Sequence, residues 1–306
     1  MKIFIAGATG VVGRRAIPLL IAAGHHVAAV ARAAENRAVL ERMGASPVAM
    51  DLFDRESVRR GMGKPEVVIN LATHIPSSTL RMFFPGAWRE NDRLRRDASA
   101  LLAESARALG ARRYIQESFA PSYPDSGDAW IREDTALAPV RYNRSVVSAE
   151  SSALEFTRRG GVGVVLRFAG FYGPDAGQSD AMIKAVRKGW APLPGSPEAY
   201  ISSLSHDDAA TAVLAALDVP AGIYNVTDDE PLRRREFSAA LATALNAPTP
   251  KPLPNWLAHL TGSLGELMSR SERISNQKLR NAGWAPKYPS MREGWPATLS
   301  ELSAGH

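Results

Sequence analysis

Apolar positions along the chain follow two periods. Short runs rich in β-branched and aromatic residues, at 3–5, 27–30, 47–50, 67–71, 113–118, 162–166 and 223–226, read as buried strands. Between them, apolar residues recur at steps of three and four. Residues 14–23 carry Ala16, Ile17, Leu19 and Leu20 on one side, and 87–109 carry Leu94, Leu101, Leu102 and Leu109. Residues 35–43 and 142–159 read as further helices, the second with Ala149, Leu154 and Phe156. This alternation predicts a doubly wound, parallel α/β sheet. After residue 171 it breaks. Pro192, Pro194, Gly195 and Pro197 mark an irregular stretch, and 200–204 reads as a strand. Asp207 reads as the N-cap of a helix reaching Leu217, and Pro231 precedes a helix to Leu245. Pro248, Pro250, Pro252 and Pro254 form an extended linker.

The first strand runs straight into Gly7-Ala8-Thr9-Gly10-Val11-Val12-Gly13-Arg14 and then a helix. In that context three glycines have separate duties. The first permits a tight turn, the second lets backbone approach a pyrophosphate, and the third lets helix pack on strand. The helix N-terminus adds free N–H groups and partial positive charge. The loop therefore reads as a dinucleotide cradle. The second strand ends at Ala31-Arg32-Ala33, where a ribose-binding carboxylate is absent. Arg32 suits a 2′-phosphate, with Arg14 and Arg37 near in sequence, so NADP(H) is favoured over NAD(H).

Composition narrows the class. The chain has 306 residues, 45% hydrophobic and 22% charged, with no cysteine, which excludes disulfides and thiolate chemistry. No apolar run is long enough to span a membrane and no signal peptide is expected, so a cytoplasmic location is the expectation. The net charge is +6. The arginine clusters Arg93, Arg95, Arg96 and Arg233 to Arg235 lack interleaved aromatics and read as solvated faces, not a nucleic-acid surface. The six histidines show no ligand spacing, so no metal is expected. The loop from His74 to Gly86, with Ile75, Phe83 and Phe84, is expected to border a small-molecule pocket. Arg270 and Arg273 read as exposed helix arginines or as partners of a phosphate or carboxylate.

GATGVVG, Asp51, Asn70-Leu71-Ala72, Tyr142 with Glu150, Tyr172-Gly173-Pro174 and Tyr224-Asn225 occur in the order found in one family. The sequence resembles an atypical extended short-chain dehydrogenase/reductase, of the group that includes nucleotide-sugar epimerases and dehydratases. The resemblance implies a Rossmann-type domain at 1–171, with 200–226 returning to it. A smaller substrate or lid domain is then formed by 172–199 and 227–306. Asp51 and Leu52 are implied at the adenine, and Leu71, Ala72 and Thr73 along the cofactor edge. A homodimer through the long helices is also implied.

The family's catalytic set is a Tyr-x-x-x-Lys pair and a Ser. Here Tyr142 fills the tyrosine position, Val146 stands at the lysine and Phe119 at the serine, with Ser118 one residue early. Strand alternation turns Ser118 away from the Phe119 side unless the strand end twists or bulges. Without an ammonium neighbour, Tyr142 is a poor base and a serviceable hydrogen-bond or proton donor. Glu117 is either a pocket acid or an ion-pair partner of an arginine such as Arg113. The catalytic candidates are Tyr142, Ser118 and Glu117, with His74 as a further acid/base. The expected function is NADP(H)-dependent reduction of a carbonyl on a small organic substrate. The alternatives are an NADP-binding sensor, structural protein or cyclase without redox chemistry, and an epimerase or dehydratase of nucleotide sugars.

Overall fold

The computed structural model describes residues 1–76, 79–82, 84–253 and 262–304. Phe83 and Pro254, singled out above, lie outside the described residues. Seven strands form one parallel sheet: β1 (Lys2–Ala6), β2 (His26–Val30), β3 (Ser46–Val48), β4 (Val67–Asn70), β5 (Arg113–Phe119), β6 (Val162–Phe168) and β7 (Gly222–Val226). Their order is β7-β6-β5-β4-β1-β2-β3. Chain direction across the sheet reverses between β1 and β4, which is where a doubly wound fold opens its ligand crevice.

Helices cover both faces. On one, α1 (Gly13–Ala22) and α2 (Ala34–Arg42) deliver Ile17, Leu20 and Leu40 onto Ile3, Ile5 and Ile69. On the other lie α3 (Arg55–Met62), the composite α4 and α5 (Val146–Arg158). They pack Val58, Leu102 and Phe156 onto Phe4, Val68 and Tyr114. In α4, an α-helical turn Arg89–Arg93 passes through a π-helical turn Leu94–Ala98 into the α-helix Ser99–Ala108. Asn91, Arg95, Ala98, Ser99 and Leu102 are buried, whereas Leu94, Leu101 and Leu109 are only half-buried.

Outside the main sheet the chain builds a smaller layer. Gly170–Tyr172 pairs in parallel with Ser203–Ser205, Trp130–Ile131 pairs with Arg273–Ile274, and Tyr200–Ile201 runs antiparallel to Leu232–Arg233. Helices α6 (Gly177–Arg187), α8 (Arg234–Ala244) and α9 (Met291–Ala304) complete it, whereas α7 (His206–Ala215) joins the sheet's core through Ala209, Ala212 and Val213. Its apolar centre joins Tyr172, Phe237, Leu241, Met291 and Trp295.

Three expectations need correction. Ser205, not Asp207, caps α7: its hydroxyl accepts from Asp208 N at 3.0 Å. The helix expected from Tyr142 starts at Val146, because Asn143 is drawn off: its Nδ2 donates to the Pro121 carbonyl and to Ser122 Oγ. Arg95 and Arg234 are buried, not solvated.

Candidate functional site

The glycine loop has the local geometry its sequence asks for. Gly7 has φ +82°, and a Cβ there would land on the Leu71 carbonyl and within 2.5 Å of Ala72 N. Gly13 packs just as closely, its missing Cβ 2.5 Å from the Ala8 carbonyl. Gly10 differs: the nearest atom to a Cβ would be the Gly7 carbonyl at 3.4 Å, so its outer side is open. Gly7 and Gly13 are glycines for the protein's own packing, and Gly10 leaves room for something else. No side chain caps α1 at Val12; the Arg14 and Arg15 amides bond back to the Gly10 and Val12 carbonyls, so an anion would meet the amides ahead of them. Thr9 and Val11 are half-buried, Ala8 and Val12 buried, and Arg14 is turned to the Thr9 carbonyl (Nε to O 2.7 Å). The buried backbone of Leu71 and Ala72 forms the opposite wall, with Thr73 half-buried after it. These features fit a dinucleotide pyrophosphate.

At the end of β2, Arg32 is exposed and makes no hydrogen bond or ion pair among the described residues. Asp51 is exposed; its Oδ1 accepts from Phe53 N at 2.9 Å. The α3 cap is Asp54, which accepts from Ser57 N at 2.6 Å. Leu52 packs half-buried against the α3–α4 core. The Arg93 guanidinium lies 3.6 Å above the Phe53 ring.

Tyr142 is half-buried one turn before α5, with its ring centroid 4.7 Å from that of buried Trp88. Burial raises its phenol well above the ordinary tyrosine value. Arg95 and Arg270 oppose that shift, and Glu272 reinforces it. Val146 is fully buried and supplies no charge. The candidates around it are engaged elsewhere. Ser118 Oγ donates to Glu150 Oε1 at 2.6 Å, and Glu150 forms a buried bidentate pair with Arg167 (2.8 and 2.7 Å). Arg167 continues to Tyr123 OH, and Tyr123 to Asn225 Oδ1. Ser118 thus belongs to a buried polar chain beneath the pocket. Glu117 pairs with Arg95 at 2.6 Å, not with Arg113, which donates to the Ala216 and Val219 carbonyls. The exposed His74 is held by its backbone amide to Asn91 Oδ1.

Arg95, Trp88 and Glu272 were not singled out from sequence as parts of this site. Arg95 lies on the buried stripe of Asn91, Ala98 and Leu102 at ordinary helical spacing, and its charge hid it from a reading of apolar residues. Glu272 lies more than a hundred residues beyond Tyr142. Arg270 is no exposed helix arginine: its Nη1 donates to the Tyr123 and Ala138 carbonyls. Arg273 stacks on Trp130 and Tyr200. A separate cavity of about 440 Å³, lined by Trp130, Arg132, Asp228, Asn276 and Arg280, takes no wall from the glycine loop or from Tyr142.

A glycine-rich β1–α1 crossing at the switch point of a seven-stranded parallel sheet defines a Rossmann-type dinucleotide-binding protein. The sequence pattern of the NAD dependent epimerase/dehydratase family matches residues 3–227. The chain belongs to that family, as an atypical extended short-chain dehydrogenase/reductase. It is 35% identical over 306 residues to a 3-diazoavenalumate denitrifying reductase of Streptomyces sp, covering 96% of this chain and 99% of that protein. By structure it is similar to the UDP-glucose 4-epimerase of Thermotoga maritima, solved with UDP-glucose. The TM-score is 0.80 at 22% identity, over 100% of this chain and 99% of the other. It is equally similar to the human epimerase family protein SDR39U1 solved with NADPH, with a TM-score of 0.80 at 20% identity over the whole of both chains.

Proposed function

We propose that this protein is an NADP(H)-dependent oxidoreductase that reduces a small organic substrate, most simply at a carbonyl. The observation that carries the reading is Tyr142, whose phenol is held protonated by burial with no ammonium at Val146 to ionise it. Such a group donates a hydrogen bond to an oxygen gaining charge and does not abstract a proton from an alcohol. Ser118 donates its hydroxyl to Glu150 and Glu117 is paired with Arg95, so neither replaces Tyr142 as the donor.

In this reading Gly7, Ala8, Thr9, Gly10, Val11, Val12, Gly13 and Arg14 hold the pyrophosphate. Arg32 holds the 2′-phosphate, Asp51 and Leu52 border the adenine, and Leu71, Ala72 and Thr73 line the edge of the sheet. The dinucleotide, when bound, supplies the reducing equivalent. The Streptomyces relative is named as a reductase, which supports the direction of the chemistry and brings diazo compounds into the substrate panel beside carbonyls. Val147 and Leu154, exposed seven residues apart on α5, support pairing of two copies through this helix.

The test is NADPH consumption against that panel. Tyr142→Phe is expected to lower kcat about 100-fold with dinucleotide affinity unchanged. Undiminished turnover in that variant refutes the assignment of Tyr142.

A further inference from the structure

Two consecutive arginine side chains hold the glycine loop by its carbonyls. Arg14 Nε donates to the Thr9 carbonyl at 2.7 Å, and Arg15 Nη1 donates to the Val11 carbonyl at 3.3 Å. The second contact matters for an anion. The Arg15 amide bonds to the Val12 carbonyl, which leaves the Val11 carbonyl to the Arg15 guanidinium alone among the described residues. In a trans peptide the C=O and the N–H that follows it point in opposite directions, and no described peptide is cis. With the Val11 carbonyl drawn to Arg15, the Val12 amide is turned away from it. That amide belongs to a buried residue and meets no hydrogen-bond partner among the described residues. A buried N–H left free at a helix start is a donor awaiting an acceptor.

Arg15 is itself held from outside the loop. The same Nη1 pairs with Asp175 Oδ2 at 3.0 Å, and Nε pairs with Asp207 Oδ1 at 3.0 Å. Asp207 lies in the first turn of α7, which packs beside α1, and Lys287 Nζ sits 3.6 Å from its other oxygen. Asp175 lies on the turn that follows Gly170–Tyr172. That turn is fixed at its start. Gly173 packs on the His206 ring with no room for a Cβ, and its amide donates to Ser179 Oγ at 3.1 Å. The exposed Asp175 carboxylate makes no contact other than Arg15 among the described hydrogen bonds and ion pairs.

We infer that Arg15 is a positioning residue for the dinucleotide, a role that rests on the dinucleotide-binding reading of the glycine loop. It sets the Val12 amide for the pyrophosphate, and Asp175 and Asp207 keep its guanidinium on the Val11 carbonyl. Affinity for the dinucleotide therefore depends on Asp175, a residue outside the glycine-rich crossing. The work needs a fork. Two guanidinium nitrogens serve three acceptors at once, which the point charge of a lysine does not reproduce. The sign of the Asp175 effect is diagnostic. By charge alone, loss of a carboxylate beside an anion site strengthens anion binding. By positioning, the same loss weakens it.

Fluorescence titration with NADPH, beside thermal unfolding of the free proteins, tests this on wild type, Asp175→Asn, Arg15→Lys and Arg15→Met. Asp175→Asn should bind NADPH about two- to five-fold more weakly, with the Tm of the free protein close to wild type. Arg15→Lys should bind about ten-fold more weakly although the positive charge is kept. Asp175→Asn added to Arg15→Met should weaken binding no further, because the two act through one contact. If Arg15→Met does not fold, the first two variants carry the test. Equal or tighter binding by Asp175→Asn overturns the assignment, and so does wild-type affinity in Arg15→Lys; the dinucleotide reading then stands on the wild-type titration. A wild type that binds neither NADPH nor NADH removes that reading and the role of Arg15 with it.

Discussion

Gly10→Ala separates the fold from the ligand at one position. The added methyl meets nothing closer than the Gly7 carbonyl at 3.4 Å, and the backbone is outside the left-handed region. Its effect on the free protein should stay within about 0.5 kcal/mol. Gly7→Ala is the contrasting change. At φ +82° an alanine costs about 1–2 kcal/mol from conformation alone, before its overlap with the Leu71 carbonyl is counted. Thermal unfolding with and without NADPH reads both. At a concentration of about 100 times Kd the ligand adds about 2.7 kcal/mol, which raises Tm by about 5–10 °C in a domain approaching this size. Gly10→Ala should match the wild-type Tm without NADPH and lose that rise. Gly7→Ala should melt early even without ligand. A full NADPH shift in Gly10→Ala would mean that the pyrophosphate sits elsewhere. A low Tm in the free variant would mean that the space beside Gly10 is not open.

Arg32→Ala should weaken NADPH binding about 10- to 100-fold, the worth of a charge-assisted hydrogen bond, and leave NADH unchanged; fluorescence titration of both dinucleotides decides. Glu150→Ala strands the buried Arg167 guanidinium and should cost about 3–5 kcal/mol in urea unfolding, with Ser118 also losing its acceptor. Glu272 adds a pH signature to stability. Between the ordinary glutamate value of 4.5 and about 8, the unfolded chain releases a proton that the folded chain keeps. Stability therefore falls as pH rises through that window, by up to about 1.4 kcal/mol per unit. Glu272→Gln should flatten this slope, and an unchanged slope in denaturant melts across the window would refute it.

The parts legible in the sequence were those with local causes. A strand of Ile3, Phe4 and Ile5 ending in a glycine at φ +82° and followed by the Ala16, Ile17, Leu20 stripe needs no distant information. The lysine and serine departures at Val146 and Phe119 were equally local. What escaped were features decided by partners far along the chain. Asn143 is held by the loop at Pro121 and Ser122, and that delays α5 by a turn. Ser205 outcompeted Asp207 as a cap because its hydroxyl reaches Asp208 N. Arg95 is buried on one stripe with Asn91, Ala98 and Leu102, and its burial is offset by Glu117, whose own polarity gave no hint of which arginine it would meet.

The electrostatics around Tyr142 show what the valine at 146 means for the phenol. Val146 opens α5 at full burial, so an ammonium there would enter an apolar wall instead of the rim of a site. Positive charge reaches Tyr142 from Arg95 on α4 and Arg270 in the smaller layer. Both arginines are already engaged, Arg95 by Glu117 and Arg270 by two carbonyls and Glu266. Their field is therefore tempered, and burial wins at the phenol. A lysine-activated tyrosine must cycle between phenol and phenolate to serve oxidation and reduction alike. A tyrosine that stays neutral gives a hydrogen bond to a substrate oxygen and does not take a proton from an alcohol, which is the half of the chemistry that the proposed reduction needs.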